Sequence, residues 1–157
     1  MLRPELITQF RRQLHGSVIQ PQHAGYTEAR KVYNAMIDRK PRWIVQCANM
    51  ANIAASIEFV RDHGMRASIR GGGHNAGGLG ICDEGLVIDL GRLNSIHMDA
   101  AAKTVRVGGG AKWGNVDNAT NEFGLAVPSG IISTTGVGGL MLGGLGLSYT
   151  SVRPHDR

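Results

Sequence analysis

The chain has 157 residues, 42% of them hydrophobic and 18% charged, with a formal net charge of +5. That composition is ordinary for a soluble globular protein with a real core. Aromatics are only 5%, and Lys and Arg are spread along the chain rather than blocked together, which disfavours a base-stacking nucleic-acid surface.

Pro4 to Leu14 carries Leu6, Ile7, Phe10 and Leu14 at helical spacing behind a proline suited to a first turn. Thr27 is placed to cap a second helix running to Asp38, with Val32, Tyr33, Met36 and Ile37 as its apolar positions and Pro41 ending it. Trp43 to Cys47 reads as a buried strand. Ala51 to His63 reads as a helix with Ile53, Ala54, Ile57 and Val60 on its buried face, stopped by Gly64. Arg66 to Arg70 is the next strand, so a βαβ unit with two parallel strands is expected. Ligands in such sheets collect beyond the carboxyl ends of the strands.

At that end lies Arg70-Gly-Gly-Gly-His-Asn-Ala-Gly77. Glycines allow close approach of backbone to a ligand, and successive bare N–H groups can form a nest for phosphate oxygens. The run suggests a nucleotide-type cofactor with one imidazole, His74, in reach of it. It formally fits a dinucleotide fingerprint, but Ala76-Gly-Gly-Leu-Gly80 opposes the helix that a Rossmann fold requires there, and no Walker A sequence occurs.

Beyond the loop, Leu86–Asp89, Ser95–Met98 and Thr104–Val107 read as short strands joined by tight turns, which suits an antiparallel meander. Lys112 to Phe123 reads as a helix with Trp113, Val116, Thr120 and Phe123 on one face, followed by an extended stretch to Pro128. A second glycine cluster runs from Ser129 through Ser133-Thr-Thr-Gly136 into a Val137–Gly146 stretch where glycines mix with Val, Leu and Met. It has no charged side chain. It fits a wall for a flat heteroaromatic ring and fits a tightly packed turn and helix equally well. The expected architecture is α+β, with a parallel lobe up to Arg70, a mixed or antiparallel lobe from Leu86, and the Gly71–Gly85 loop between them.

Cys47 is expected to be buried and inert and Cys82 an ordinary partly buried thiol. His15, His23, His63, His97 and His155 have no metal-ligand spacing, so no metal is expected. With no apolar leader or spanning segment, the chain reads as cytoplasmic, without membrane or nucleic-acid partners.

The ordered set Arg70-Gly-Gly-Gly-His-Asn75, Gly85-Leu-Val-Ile-Asp-Leu90 with Asn94-Ser95, Val105-Arg-Val-Gly-Gly-Gly-Ala-Lys-Trp-Gly114, Gly124-Leu-Ala-Val-Pro128, Ser133-Thr-Thr-Gly-Val-Gly-Gly139 and Leu142-Gly-Gly144 resembles the PCMH-type FAD-binding domain of the vanillyl-alcohol-oxidase superfamily, in its berberine-bridge-like branch of FAD-linked oxidases. The resemblance implies two α/β subdomains with FAD between them. It implies that Arg70, Gly71, Gly72, Gly73, His74, Asn75, Ala76 and Gly77 wrap the pyrophosphate, and that Ser133, Thr134, Thr135, Gly136, Gly138, Gly139, Gly143 and Gly144 lie along the flavin. His74, which taken alone reads as a histidine hydrogen-bonded in a turn, would be joined covalently to the flavin 8α-methyl. Family members with a second, cysteine link have it at the position of Ile132, so one bond is expected.

The implied organisation is a helical lead-in over 1–39, the FAD-binding domain over 40–147, and a tail over 148–157 that departs from the family pattern. The chain is therefore expected to be a C-terminally truncated, N-terminal half of an oxidoreductase that moves hydride from substrate to flavin and electrons to oxygen. It would lack a substrate domain and be inactive alone. The competing readings are a remnant that binds FAD weakly or not at all, and a basic nucleotide- or nucleic-acid-binding module.

Overall fold

The computed structural model describes residues 4–143; Gly144 and the tail from 148 lie outside the described residues. The described residues hold five helices, α1 (Pro4–Arg12), α2 (Tyr26–Ala29), α3 (Met50–Asp62), α4 (Trp113–Asn121) and α5 (Val137–Gly143), and six strands, β1 (Ser17–Ile19), β2 (Trp43–Gln46), β3 (Ala67–Arg70), β4 (Leu86–Asp89), β5 (Ile96–Asp99) and β6 (Thr104–Val107), alternating only as far as β3. None of the described helices is long and apolar enough to cross a membrane.

Four strands form one sheet in the order β1-β2-β4-β3, with β2, β4 and β3 parallel and β1 antiparallel at the edge. β2 and β3 thus run parallel, as the βαβ pattern requires, but β4 lies between them. Leu86–Asp89 therefore belongs to the first lobe, not to the antiparallel one, and the Gly71–Gly85 loop joins two strands of one sheet. The reason is burial: Leu86, Val87 and Ile88 are all apolar, and only a central parallel strand covered on both faces buries such a run.

Side-chain alternation then divides the core. Trp43, Val45, Cys47, Leu86 and Ile88 face Phe10 of α1 and Phe59 of α3, whose rings stack at 4.3 Å. Ile44 and Val87 face the other way, onto Tyr26, Ile81 and Cys82. Each such fully buried aliphatic side chain contributes about 1.5–3 kcal/mol.

Two helices differ from the sequence pattern. The buried positions of α3 are Asn52, Ser56 and Phe59, while Ile57 is 48% exposed and Ala54 faces solvent. Asn49 caps the helix by accepting from the Asn52 N–H at 3.0 Å, and the stack of Phe59 on Phe10 sets the buried face. Asn52 and Ser56 are tolerated inside because the Asn52 side-chain oxygen accepts from the Ala48 N–H and Ser56 donates to the Asn52 carbonyl at 2.7 Å.

The helix expected over Thr27–Asp38 stops at Ala29. Beyond it the chain gives its hydrogen bonds to the glycine loop instead. The Tyr33 N–H donates to the Gly73 carbonyl, Asn34 donates to the Ala76 carbonyl, and Arg39 donates to the carbonyls of Gly78 and Ile81. Val32 and Ile37 still pack on the core, but Met36 is 90% exposed.

The second lobe is smaller. β5 and β6 pair antiparallel, and Ala111, Trp113, Val116 and Val137 form its core with Val105, Val107 and Leu140 packed against them. α4 buries Trp113, Val116 and Thr120, whereas Phe123 lies past the helix and is half exposed.

Candidate functional site

β3 and β4 end side by side, with Arg70 and Asp89 in register. Their side chains form an ion pair at 2.7 Å and are only 8% and 12% exposed. Such a pair must offset the loss of water with good geometry and further bonds. Here Asp89 also accepts from the Gly91 N–H at 2.9 Å, and Arg70 donates to the Lys31 carbonyl at 3.2 Å. The Arg70 guanidinium is thus occupied by protein partners at the floor of a cleft.

The chain leaves β3 at that floor. No helix forms between 71 and 85, in keeping with the rejection of a Rossmann turn. Gly72 passes directly over Gly136: a Cβ on Gly72 would lie 2.3 Å from the Gly136 nitrogen, and one on Gly136 would lie 2.1 Å from the Gly72 nitrogen. A Cβ on Gly138 would lie 2.6 Å from the Gly109 carbonyl oxygen. Three glycine turns, near 72, 109 and 137, therefore interlock backbone to backbone. Gly136 and Gly138 thus show the close packing expected as one reading of the second glycine cluster, and Gly72 packs in the same way, while Gly72 and Gly136 also line the space beside them.

Two open basins flank this crossing and share Arg70–Gly73. The first holds about 460 Å³ and is lined by Lys31, Tyr33, Asn94, Gly110, Lys112 and Asn115 together with the glycine backbone. The Lys112 ammonium, two side-chain amides and bare main chain suit an anionic ligand, while the Lys31 ammonium is paired with Glu28 at 2.6 Å. The nearby Asp89 charge is matched by Arg70. The second basin holds about 330 Å³ and adds Ile69, Leu79 and Leu140 to His74, Thr135, Gly136 and Gly139. That mixture suits a flat ring with polar edges.

His74 stands between the two lobes. Its Nε2 lies 3.0 Å from the Thr134 Oγ1, and its ring stacks on Tyr33 at 4.0 Å between centroids and 19° between planes. Burial, helped by the positive charge of Lys112, lowers its pKa from the ordinary histidine value. The imidazole is therefore neutral near pH 7 and keeps a nitrogen lone pair.

The structure brings Arg70, Gly71, Gly72, Gly73, His74, Asn75, Thr135, Gly136, Gly139 and Gly143 onto the two basins, with Thr134 touching His74. Ala76, Gly77, Ser133 and Gly138 lie outside that lining; Ser133 instead accepts from the Gly114 N–H at 2.9 Å, tying its loop to α4. Lys31, Tyr33, Asn94, Lys112 and Asn115 were not foreseen as site residues. Gly108-Gly-Gly-Ala-Lys112 offered a signal, a glycine run ending in a cation. Lys31 and Tyr33 offered none, because their segment carries a helical pattern. Cys47 is fully buried and Cys82 nearly so.

The FAD binding domain family matches residues 41–153. (R)-6-hydroxynicotine oxidase of Paenarthrobacter nicotinovorans is 35% identical over 131 residues, which is 83% of this chain and 29% of that protein. An FAD-linked oxidoreductase of Dictyostelium discoideum is 32% identical over 148 residues, 94% of this chain and 32% of the relative. Among solved structures, 6-hydroxy-D-nicotine oxidase from Arthrobacter nicotinovorans superimposes with a TM-score of 0.78 at 32% identity, covering 87% of this chain and 29% of its own. The berberine-bridge-enzyme-like protein 1 of Physcomitrella patens gives a TM-score of 0.79 at 27% identity, covering 88% and 30%. The chain thus spans about 30% of the length of these relatives.

Proposed function

From the premise that this chain belongs to the FAD binding domain family of the FAD-linked oxidoreductases, we propose that it holds FAD across the two basins and joins it covalently through His74. The carrying observation is the place of His74: a neutral imidazole on the more apolar basin, stacked on Tyr33, which lines the cationic, backbone-lined one. The main chain of Gly71–Gly73 and Gly110, with the ammonium group of Lys112, would hold the diphosphate. Thr135, Gly139 and Leu140 would flank the ring system. When bound, FAD supplies an acceptor for a hydride from a substrate C–H bond and a donor of two electrons to dioxygen.

His74 serves as the nucleophile toward the 8α carbon, for which an unprotonated nitrogen is needed. Arg70 acts on the protein side, holding the floor through Asp89 and the Lys31 carbonyl.

The test is reconstitution of the chain with FAD, followed by acid precipitation. Yellow colour that stays with the wild-type pellet and is lost in His74→Ala supports the reading. A chain that stays colourless after reconstitution overturns it.

A further inference from the structure

Tyr33 is 60% exposed, so core packing does not account for it. Its backbone is nonetheless pinned, since its N–H donates to the Gly73 carbonyl at 3.0 Å and neighbouring Asn34 donates to the Ala76 carbonyl at 3.0 Å. That pinning holds the phenol flat on the His74 ring. Thr134 is exposed too, and its loop is also tied down by backbone: the Trp113 N–H donates to the Thr135 carbonyl at 3.0 Å and the Gly114 N–H to the Ser133 carbonyl at 2.9 Å. Two segments remote in sequence thus meet one imidazole, one on its face and one at its edge.

We propose that Tyr33 and Thr134 are positioning residues that fix the His74 ring for bond formation with the flavin. The inference rests on the covalent reading given above. A free imidazole turns about two soft torsions, and a covalent step is slow unless the attacking nitrogen is held near its target. The stack restrains the swing of the ring, and the hydroxyl restrains its spin. A threonine hydroxyl both donates and accepts, so it serves either neutral tautomer.

The step balances as follows. An imidazole nitrogen bonds to carbon 8α; the imidazole N–H and one 8α C–H bond break. The two protons and two electrons leave on dioxygen as hydrogen peroxide. Neither Tyr33 nor Thr134 is consumed.

The experiment uses the full chain with FAD in air. It follows the dissociation constant for FAD and the rate at which flavin becomes acid-stable. At saturating FAD, Tyr33→Leu and Thr134→Val are each expected to slow acid-stable incorporation about tenfold or more. Tyr33→Phe keeps the stack and Thr134→Ser keeps the hydroxyl, so both are expected to restore the rate. In the FAD-free chain, Tyr33→Leu should shift the carbon-bound ring protons of His74 by removing an aromatic ring current, and Thr134→Val should shift its ring nitrogens.

Wild-type incorporation rates in both loss variants, or failure of both conservative variants to rescue, overturn the inference. So do unchanged His74 ring signals in both loss variants. A wild-type chain that binds FAD but never retains it through acid overturns the covalent reading and this inference with it, whereas retention in the wild type with unaffected variants overturns the inference alone.

Discussion

Arg70 and Asp89 end neighbouring parallel strands in register and close a nearly buried ion pair at 2.7 Å. The pair ties together the floor of the cleft, the turn at Gly91 and the segment carrying Lys31. Removing one partner leaves the other charge in a poorly solvated place. Asp89→Leu is expected to destabilise the chain by about 3–5 kcal/mol, whereas Arg70→Met with Asp89→Leu should cost much less than the sum of the two single changes. Urea unfolding of the four chains of this double-mutant cycle checks it; additive losses would contradict the coupling.

Gly72 and Gly139 separate packing from ligand space. A Cβ at Gly72 meets the Gly136 backbone at 2.3 Å, and one at Gly139 meets nothing within 4 Å. Gly72→Ala should lower stability by about 1–3 kcal/mol through forced backbone movement. Gly139→Ala should hold or raise stability, by up to about 1 kcal/mol, because alanine is the better helix former. Gly139→Phe should leave the fold intact and weaken FAD binding by filling the second basin. Thermal melts and FAD titrations distinguish the three.

The lowered pKa of His74 gives stability a pH dependence of defined sign. Between its depressed folded value and the ordinary 6.5, the unfolded chain binds more protons than the native one. Stability therefore falls as pH is lowered from above 6.5 through that window. His74→Gln should flatten this part of the profile. Lys112→Gln should raise the His74 pKa, since one lowering charge is gone, and should also weaken FAD binding. Histidine titration by NMR measures the first effect, and unchanged values in Lys112→Gln would exclude the proposed charge coupling.

Arg39 bonds two carbonyls of the glycine loop, at 3.0 Å to Gly78 and 2.9 Å to Ile81. Its guanidinium stitches the N-terminal segment over that loop. Arg39→Ala should cost about 1.5–3 kcal/mol. It should also speed amide exchange at residues 76–82 more than at β2 or β4. Equal acceleration everywhere would point to global loosening instead.

Burial pushes the Cys47 thiol up to about 11, and the Asp89 charge adds to the effect. The native chain at pH 8 should leave Cys47 unmodified by a thiol reagent, and the unfolded chain should react at once. Rapid labelling of the folded protein at Cys47 would mean that the sheet opens at the end of β2.

Much of the fold was open to inspection in the residues themselves. The strands read at Trp43–Cys47, Arg66–Arg70, Ser95–Met98 and Thr104–Val107 lie within a residue of β2, β3, β5 and β6, and the Ala51–His63 helix is legible from its period and its Gly64 stop, whereas its Asn49 cap is not. The absence of a Rossmann helix after Arg70 followed from the glycines of 77–80. On α3 the expected Ile53 and Val60 do pack on the core, but Ala54 and Ile57 do not, because Phe59, which meets Phe10 and Trp43, sets the buried face. Thr27–Asp38 carries a helical pattern that a non-local bond overrides: the Tyr33 N–H finds the Gly73 carbonyl rather than one in its own segment.

By itself the order of residues determined the local chemistry: where the backbone is bare, where a histidine sits among glycines, which stretches are strands, and that the whole set matches an FAD-binding family. Only the tertiary structure decided which strand lies between β2 and β3, that Arg70 spends its charge on Asp89, that Gly72 and Gly136 are glycine because two backbones cross, and that Tyr33 and Thr134 enclose His74. The division has a physical cause. Conformational preference and hydrophobic period act over a few neighbouring residues and are written along the chain, whereas ion pairs, ring stacks and backbone crossings join residues far apart in sequence whose meeting depends on how the whole chain packs.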